Sequence, residues 1–243
     1  MKKLLSEYEL RAMCLPEGLK EFPVDKETVL TPMAVEYLWE RGIRVVEKSA
    51  ETMPLSTDTE QGKGYVIEGT QQIVEIKPEN MTHLHGNVLV SKTHPRIALR
   101  GKLDSLEAMI ISVQVTATEQ RYAAVAQDLQ ELLQFVRMIL STEVRETALG
   151  EFTLWGLDSA TLRYQSHHVH EVFGINHPVP SYTMGRLAAE LNLLRTVVRE
   201  TELLAVSAFE KEPQMNFVEA LNRLSSAVYL IFCKLIAGKY ARG

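Results

Sequence analysis

The stretch ELNLLRTVVRETELLAVSAFEKEPQMNFVEALNRLSSAVY, Glu190 to Tyr229, decides how the chain folds. It holds two apolar segments at helical spacing, and each carries a polar stripe where a plain bundle helix would be apolar. At about 100° per residue, Arg195, Arg199 and Glu202 stand at i, i+4 and i+7 and share one side of the first segment. Leu191, Val198 and Val206 project onto the same arc, while Leu193, Val197 and Leu204 lie opposite. A solvated face would be polar throughout, so a helix of this pattern packs twice, inside a bundle or also against another chain. In the second segment Asn222, Ser226 and Tyr229 repeat the same spacing. Two readings fit these stripes. Guanidinium groups, a carboxylate and an amide facing an interior suit a polyanion such as a nucleoside triphosphate, because a planar guanidinium gives phosphate two donors and desolvation strengthens both bonds. Alternatively, the arginines pair internally with Glu202 or a neighbouring helix and only hold register.

Outward from this stretch, helical spacing continues back to Thr93. Thr93 reads as an N-cap with Pro95 near the first position, and the helix it opens runs to about Ala117. A second helix is predicted over Glu119–Met138, with Leu129, Leu132, Leu133 and Val136 as its apolar stripe. Shorter helical pieces follow at Ser141–Gly150 and Leu157–Ser166. HHVHEVFGINHPVPS, His167 to Ser181, is broken by Gly174, Pro178 and Pro180 and reads as loop. The last two helices span about Met184–Phe209 and Asn216–Ala237 around a turn at Pro213. Mostly short connections imply antiparallel neighbours. The predicted fold is mainly α: an antiparallel four- or five-helix bundle over residues 91–243, with a small N-terminal α/β segment over residues 1–90. In that segment Thr31 and Pro32 open a helix that Gly42 ends, Ile43–Lys48 alternates like a strand, Ala50–Gly69 reads as a mobile loop, and Thr70–Ile76 as one more strand.

At 243 residues, 46% of them hydrophobic, the chain can bury a substantial core. A net charge of −5 without a long run of like charge argues against nucleic acid as a partner. Cys14 and Cys233 form no CxxC pattern, which fits a reducing compartment and excludes a thiolate zinc site. MKKLLSEYEL lacks an apolar core, so no signal peptide is expected, and the longest apolar run, Ala227–Cys233, is too short to span a bilayer. A cytoplasmic location without a membrane partner is the expectation.

Three blocks, taken in order, carry a resemblance: Lys92-Thr-His-Pro-Arg-Ile-Ala-Leu-Arg-Gly-Lys-Leu-Asp104-Ser-Leu, then Arg195-x3-Arg199-x2-Glu202, then Asn222-Arg-Leu-Ser. Together they resemble the ATP:cob(I)alamin adenosyltransferases of the propanediol- and ethanolamine-utilisation type, and LNLLRTVVRETELLA…ALNRLSSAVY is most similar to the ethanolamine branch. The resemblance implies that ATP and cobalamin are the substrates and Mg2+ the cofactor. It implies that Arg199 contacts the triphosphate, that Glu202 binds the ribose or the magnesium-bound nucleotide, and that Asn222 bonds the adenosine. Asp104 would pair with Arg195 and orient it, and Lys92 would add a cationic contact to ATP; an exposed acid and a solvated loop lysine are the alternatives. Arg199, Glu202 and Arg195 are thus the candidate catalytic residues.

The resemblance also has gaps. No Thr-x-x-Gly-Asp-x-Gly-x-Thr phosphate loop is present, and Thr28–Ala34 or Gly62-Lys-Gly64 are the available substitutes. Phe173 and His177 stand where the family sets the corrin ring against a loop. His83, His85, His94, His167, His168, His170 and His177 lack metal-ligand spacing, and a surface position is expected for each. No metal site is predicted. The family further implies a homo-oligomer with the ATP site between subunits, and a product that serves a B12-dependent ammonia-lyase, with a bacterial microcompartment nearby. The alternatives are a catalytically silent ATP- and corrinoid-binding bundle acting as carrier or regulator, and a structural bundle whose polar stripes specify packing.

Overall fold

The computed structural model describes residues 3–13, 19–25, 28–47, 64–211 and 216–243. The chain divides into two compact units, residues 1–92 and 93–243.

The first unit is a small α/β assembly. Parallel pairs join β1 (Lys3–Leu5) to β3 (Thr28–Leu30) and β2 (Glu21–Val24) to β4 (Arg44–Glu47). Helices α1 (Glu7–Ala12) and α2 (Pro32–Glu40) complete this part, and Leu5, Leu10, Ala34, Tyr37, Leu38 and Ile43 form its core. The Thr31 hydroxyl caps α2 by accepting from the Ala34 N–H, with Pro32 at the first turn where its missing donor costs nothing. A second sheet runs in the order β6 (Ile73–Val74), β5 (Tyr65–Ile67), β8 (Val88–Ser91), β7 (Met81–His85). Two expectations are corrected. Tyr65–Ile67 is a strand within the stretch read as loop, because it finds partners in β6 and β8; residues 50–63 of that stretch, like Gly62 and Lys63 of the substitute phosphate loop, lie outside the described residues. The strand read over Thr70–Ile76 shrinks to two residues.

The second unit is the helix bundle. Four long helices, α3 (Pro95–Glu119), α4 (Ala123–Val144), α7 (Arg186–Ala208) and α8 (Phe217–Ile236), pack α3 on α4, α3 on α7, α7 on α8 and α4 on α8. Shorter α5 (Ser159–His167) and α6 (Val169–Phe173) lie on α8. The stripe Leu129, Leu132, Leu133 and Val136 is buried in the shared core, as are Leu191, Leu194 and Val198 of α7. Val197 is also buried, whereas Leu193, Leu203 and Val206 of the same helix remain exposed.

Several boundaries move for identifiable reasons. His94, not Thr93, caps α3, its Nδ1 accepting from the Arg96 N–H. The second helix begins at Ala123 rather than Glu119, because α3 ends in a Schellman turn. There the Tyr122 N–H reaches the Ala117 carbonyl, the Arg121 N–H reaches Thr118, and Arg121 takes φ 62°. Ser141–Val144 extend α4 instead of opening a new helix. A second such turn, with Glu146 at φ 54° and the Thr147 N–H on the Thr142 carbonyl, ends it. Within the stretch read wholly as loop, Val169–Phe173 forms α6, stopped by Gly174 at φ 74°.

The start of α3 and the end of α4 are held together by a carboxylate with no exposed surface. Glu143 accepts from Arg96 Nε at 2.6 Å and from Arg100 Nε at 2.5 Å, and the Arg96 fork also reaches the Glu143 carbonyl and Glu146. Burial opposes the Arg96 charge, but the two carboxylates outweigh it and its pKa is raised. Removing one partner of such a group strands buried charge. Glu143→Ala is therefore expected to cost about 3–5 kcal/mol in a denaturant titration, several times the effect of truncating an exposed pair such as Glu107 with Arg137.

Candidate active site

The polar stripes of α7 and α8 meet along the seam between these helices. Asn222 Nδ2 donates to Glu202 Oε1 at 2.8 Å, and the Asn222 carbonyl accepts from the Ser225 and Ser226 hydroxyls. Seven residues earlier on α7 and seven later on α8, the Arg195 guanidinium lies 5.8 Å from the centroid of the Tyr229 ring. Arg195 Nη2 also donates to Asn192 Oδ1, at 3.3 Å. Among the described residues Glu202 takes an amide, and Arg195 takes an amide and a ring face, so these two stripe residues do not pair with each other.

Tyr229 is the centre of this cluster. Its hydroxyl lies 2.8 Å from His177 Nδ1, and the two rings are nearly parallel, 8° apart. The other imidazole nitrogen is 3.3 Å from the His167 carbonyl. A carbonyl only accepts, so Nε2 carries a proton, and in the neutral imidazole Nδ1 then accepts from the phenol. One turn further along α8 stands Cys233, at i+4 from Tyr229 on the same side of the helix. Burial, followed by Cys233, pushes the Tyr229 pKa upward, with Arg195 opposing. Burial pushes the Cys233 thiol up to about 11, against the pull of Tyr229 and Arg195. Both groups are therefore neutral near pH 7, leaving Arg195 as the charge at this end of the seam.

Arg199 is exposed, one and two turns from exposed Leu203 (69%) and Val206 (47%). Asp104 is exposed on α3, in line with Ala108, Ile111 and Val115 at i+4, i+7 and i+11. Lys92 is exposed, its backbone N–H donating to the Asn80 carbonyl at 2.9 Å. Phe173 ends α6, where it lines a cavity of about 260 Å3 with Trp155, Leu157, Leu230 and Ile231. His177 was read as a surface residue; it is exposed, yet its ring is held at both nitrogens. The surface expectation fails outright for His83, whose side chain is 12% exposed and sits against the Trp39 and Tyr65 rings. Burial, then Lys77, lowers its pKa. Among the described residues no three His, Cys, Asp or Glu side chains gather as a metal-ligand group.

Two residues escaped the sequence reading. Arg223, beside Asn222, is buried, and its Nε donates to the Ser159 hydroxyl at 3.1 Å. Burial and then nearby Arg163 lower its pKa, with Glu219 and Glu202 opposing. Tyr229 was visible only as a member of a stripe. A periodic pattern marks it as inward-facing but does not identify its partners.

Comparison with known proteins identifies the family. The cobalamin adenosyltransferase family matches residues 74–235, which include both seam helices. The chain is 34% identical to the corrinoid adenosyltransferase EutT of Escherichia coli (strain K12) over 254 residues, covering 95% of this chain and 91% of that protein. It is 32% identical to the protein of the same name from Salmonella typhimurium (strain LT2) over 259 residues, covering 98% and 94%. The extent of these matches and the family blocks gathered on α7 and α8 lead to one conclusion: the chain belongs to the cobalamin adenosyltransferase family.

Proposed function

We propose that the protein transfers the 5′-deoxyadenosyl group of ATP to the cobalt(I) form of cobalamin. Cobalt(I) attacks the 5′ carbon, a cobalt–carbon bond forms, the C5′–O bond breaks, and its electron pair leaves with triphosphate. The corrinoid is itself a strong nucleophile, so the protein has no need of a general base. Its work is to align the 5′ carbon and to neutralise the leaving triphosphate. The observation that carries this reading is the Asn222–Glu202 hydrogen bond, which joins two family blocks at one level of the α7–α8 seam.

In this reading Arg195 and Arg199 take the triphosphate, Glu202 the ribose or the metal-bound nucleotide, and Asn222 the adenosine. Lys92 adds a cationic contact, and Phe173 and His177 lie toward the corrinoid. Mg2+ would travel with the phosphates, which suits an ion that keeps most of its waters and needs only one or two protein carboxylates; Glu202 is the carboxylate of the seam. It would neutralise charge on the leaving group. Exposed Arg199, set among Leu203 and Val206, and the exposed α3 line Asp104, Ala108, Ile111 and Val115 support a homo-oligomer in which a second copy completes the site. Asp104 would then act across that interface. No helix among the described residues is long and apolar enough to cross a membrane. We place the product in ethanolamine catabolism, serving a B12-dependent ammonia-lyase, with association to a bacterial microcompartment.

Anaerobic absorbance of cobalt(I) cobalamin with ATP, magnesium and protein tests the reaction. The light-sensitive adenosylcobalamin spectrum is expected, and Arg199→Ala should slow its appearance by about 10²–10³-fold while the oligomer survives. Binding of both substrates without product would instead support a silent carrier or regulator. A second prediction concerns assembly. Ile111→Glu with Val115→Glu should dissociate the oligomer in sedimentation velocity and abolish turnover with it. A dissociated variant that keeps full activity would place the whole site within one chain.

A further inference from the structure

The loop preceding α7 and the arginine on α7 converge on one side chain, Tyr229. Its hydroxyl donates to His177 Nδ1 at 2.8 Å, and its ring face lies 5.8 Å from the Arg195 guanidinium. His177 belongs to the stretch 174–181 between α6 and the 3-10 turn Tyr182–Met184, where Val179 is 81% exposed and Tyr182 is 92% exposed. Within the stretch, Ile175 packs partly buried against the bundle core. His177 is tied at both nitrogens, to Tyr229 on α8 and to the carbonyl of His167 at the end of α5. The phenol is half-buried, and its ring stacks on Phe232 as well as on His177. Arg195 makes only one hydrogen bond among the described residues, a 3.3 Å contact to Asn192, and rests otherwise on that ring.

We propose that Tyr229 is a positioning residue that couples docking of the loop at His177 to the orientation of Arg195, so that the nucleotide site is fully formed only when the loop is down. This rests on the reading that Arg195 binds the triphosphate. A docked imidazole fixes the phenol, and the fixed ring presents a flat, electron-rich face that holds the guanidinium in one orientation. A released loop frees the ring and leaves Arg195 to sample several rotamers, which a triphosphate must then restrict on binding. The same coupling works in reverse: a triphosphate that fixes Arg195 favours the docked loop.

The test is a double-mutant cycle read by equilibrium ATP binding to the full-length protein in calorimetry. His177→Ala and Tyr229→Phe should each weaken ATP binding about three- to tenfold, the scale of one net hydrogen bond. The double variant should be no weaker than either single change, because both remove the same link. His177→Asn, whose amide oxygen can stand in for Nδ1, should restore binding to within about twofold of the native protein, which a general packing effect would not do. Arg195→Ala is the reference and should weaken ATP more than either. If Arg195→Ala weakens ATP but His177→Ala does not, or if the two single effects multiply, the coupling is overturned and the nucleotide site stands. If Arg195→Ala leaves ATP binding unchanged, the nucleotide assignment of Arg195 falls and takes the coupling with it.

Discussion

The hydrogen bond from Asn222 to Glu202 sets the register of α7 against α8, and the positions of the other polar groups in the seam follow from it. Antiparallel helices that match at one level match again wherever one chain steps back as far as the other steps forward. Two turns from Asn222 and Glu202, about 10 Å along the axis, the same register brings Tyr229 to Arg195. A slip of one turn would place Val198 or Val206 against Asn222 in place of Glu202. An amide and a carboxylate half-buried in this seam favour the alignment in which they satisfy each other.

A second polar cluster, between α3 and α4, solves a similar problem with a different outcome. Glu143 is fully buried and is met by two arginines, Arg96 and Arg100, whose forks leave its carboxylate well supplied with donors. That network ties α3 to α4 and is closed. Arg195, by contrast, carries a charge held by one long hydrogen bond and an aromatic face, and Arg199 is left at the surface. Guanidinium groups with donors to spare next to a neutral phenol and thiol suit an incoming polyanion, whereas a satisfied network suits a joint. The two clusters contain the same residue types; the number of partners separates them.

Much of the bundle was legible because helices announce themselves through period and caps. The buried Leu129–Val136 stripe, the Thr31–Pro32 start and the inward faces of α7 and α8 all follow from spacing and local chemistry. Gly42 correctly signalled the end of α2, its N–H returning to the Trp39 carbonyl in a left-handed turn. The same turn at Arg121 and Glu146 carried no such signal, since neither residue is glycine. The α3–α4 boundary was therefore misread, and α4 was cut short. The brief helix at Val169–Phe173 and the strand at Tyr65–Ile67 were missed for a related reason: segments this short form only because packing against α8 or pairing with β6 and β8 supports them.

The sequence by itself determined the mainly helical fold, the family and the two polar stripes, because helical period, capping and ordered motif blocks are properties of neighbours along the chain. Only the tertiary structure decided what those stripes touch. It put Glu202 with Asn222 and brought His177 to Tyr229 across 52 residues of sequence. The physical reason is that periodicity states which way a side chain faces, whereas its partner depends on helix register and on the path of an aperiodic loop, and both are set by packing of the whole bundle.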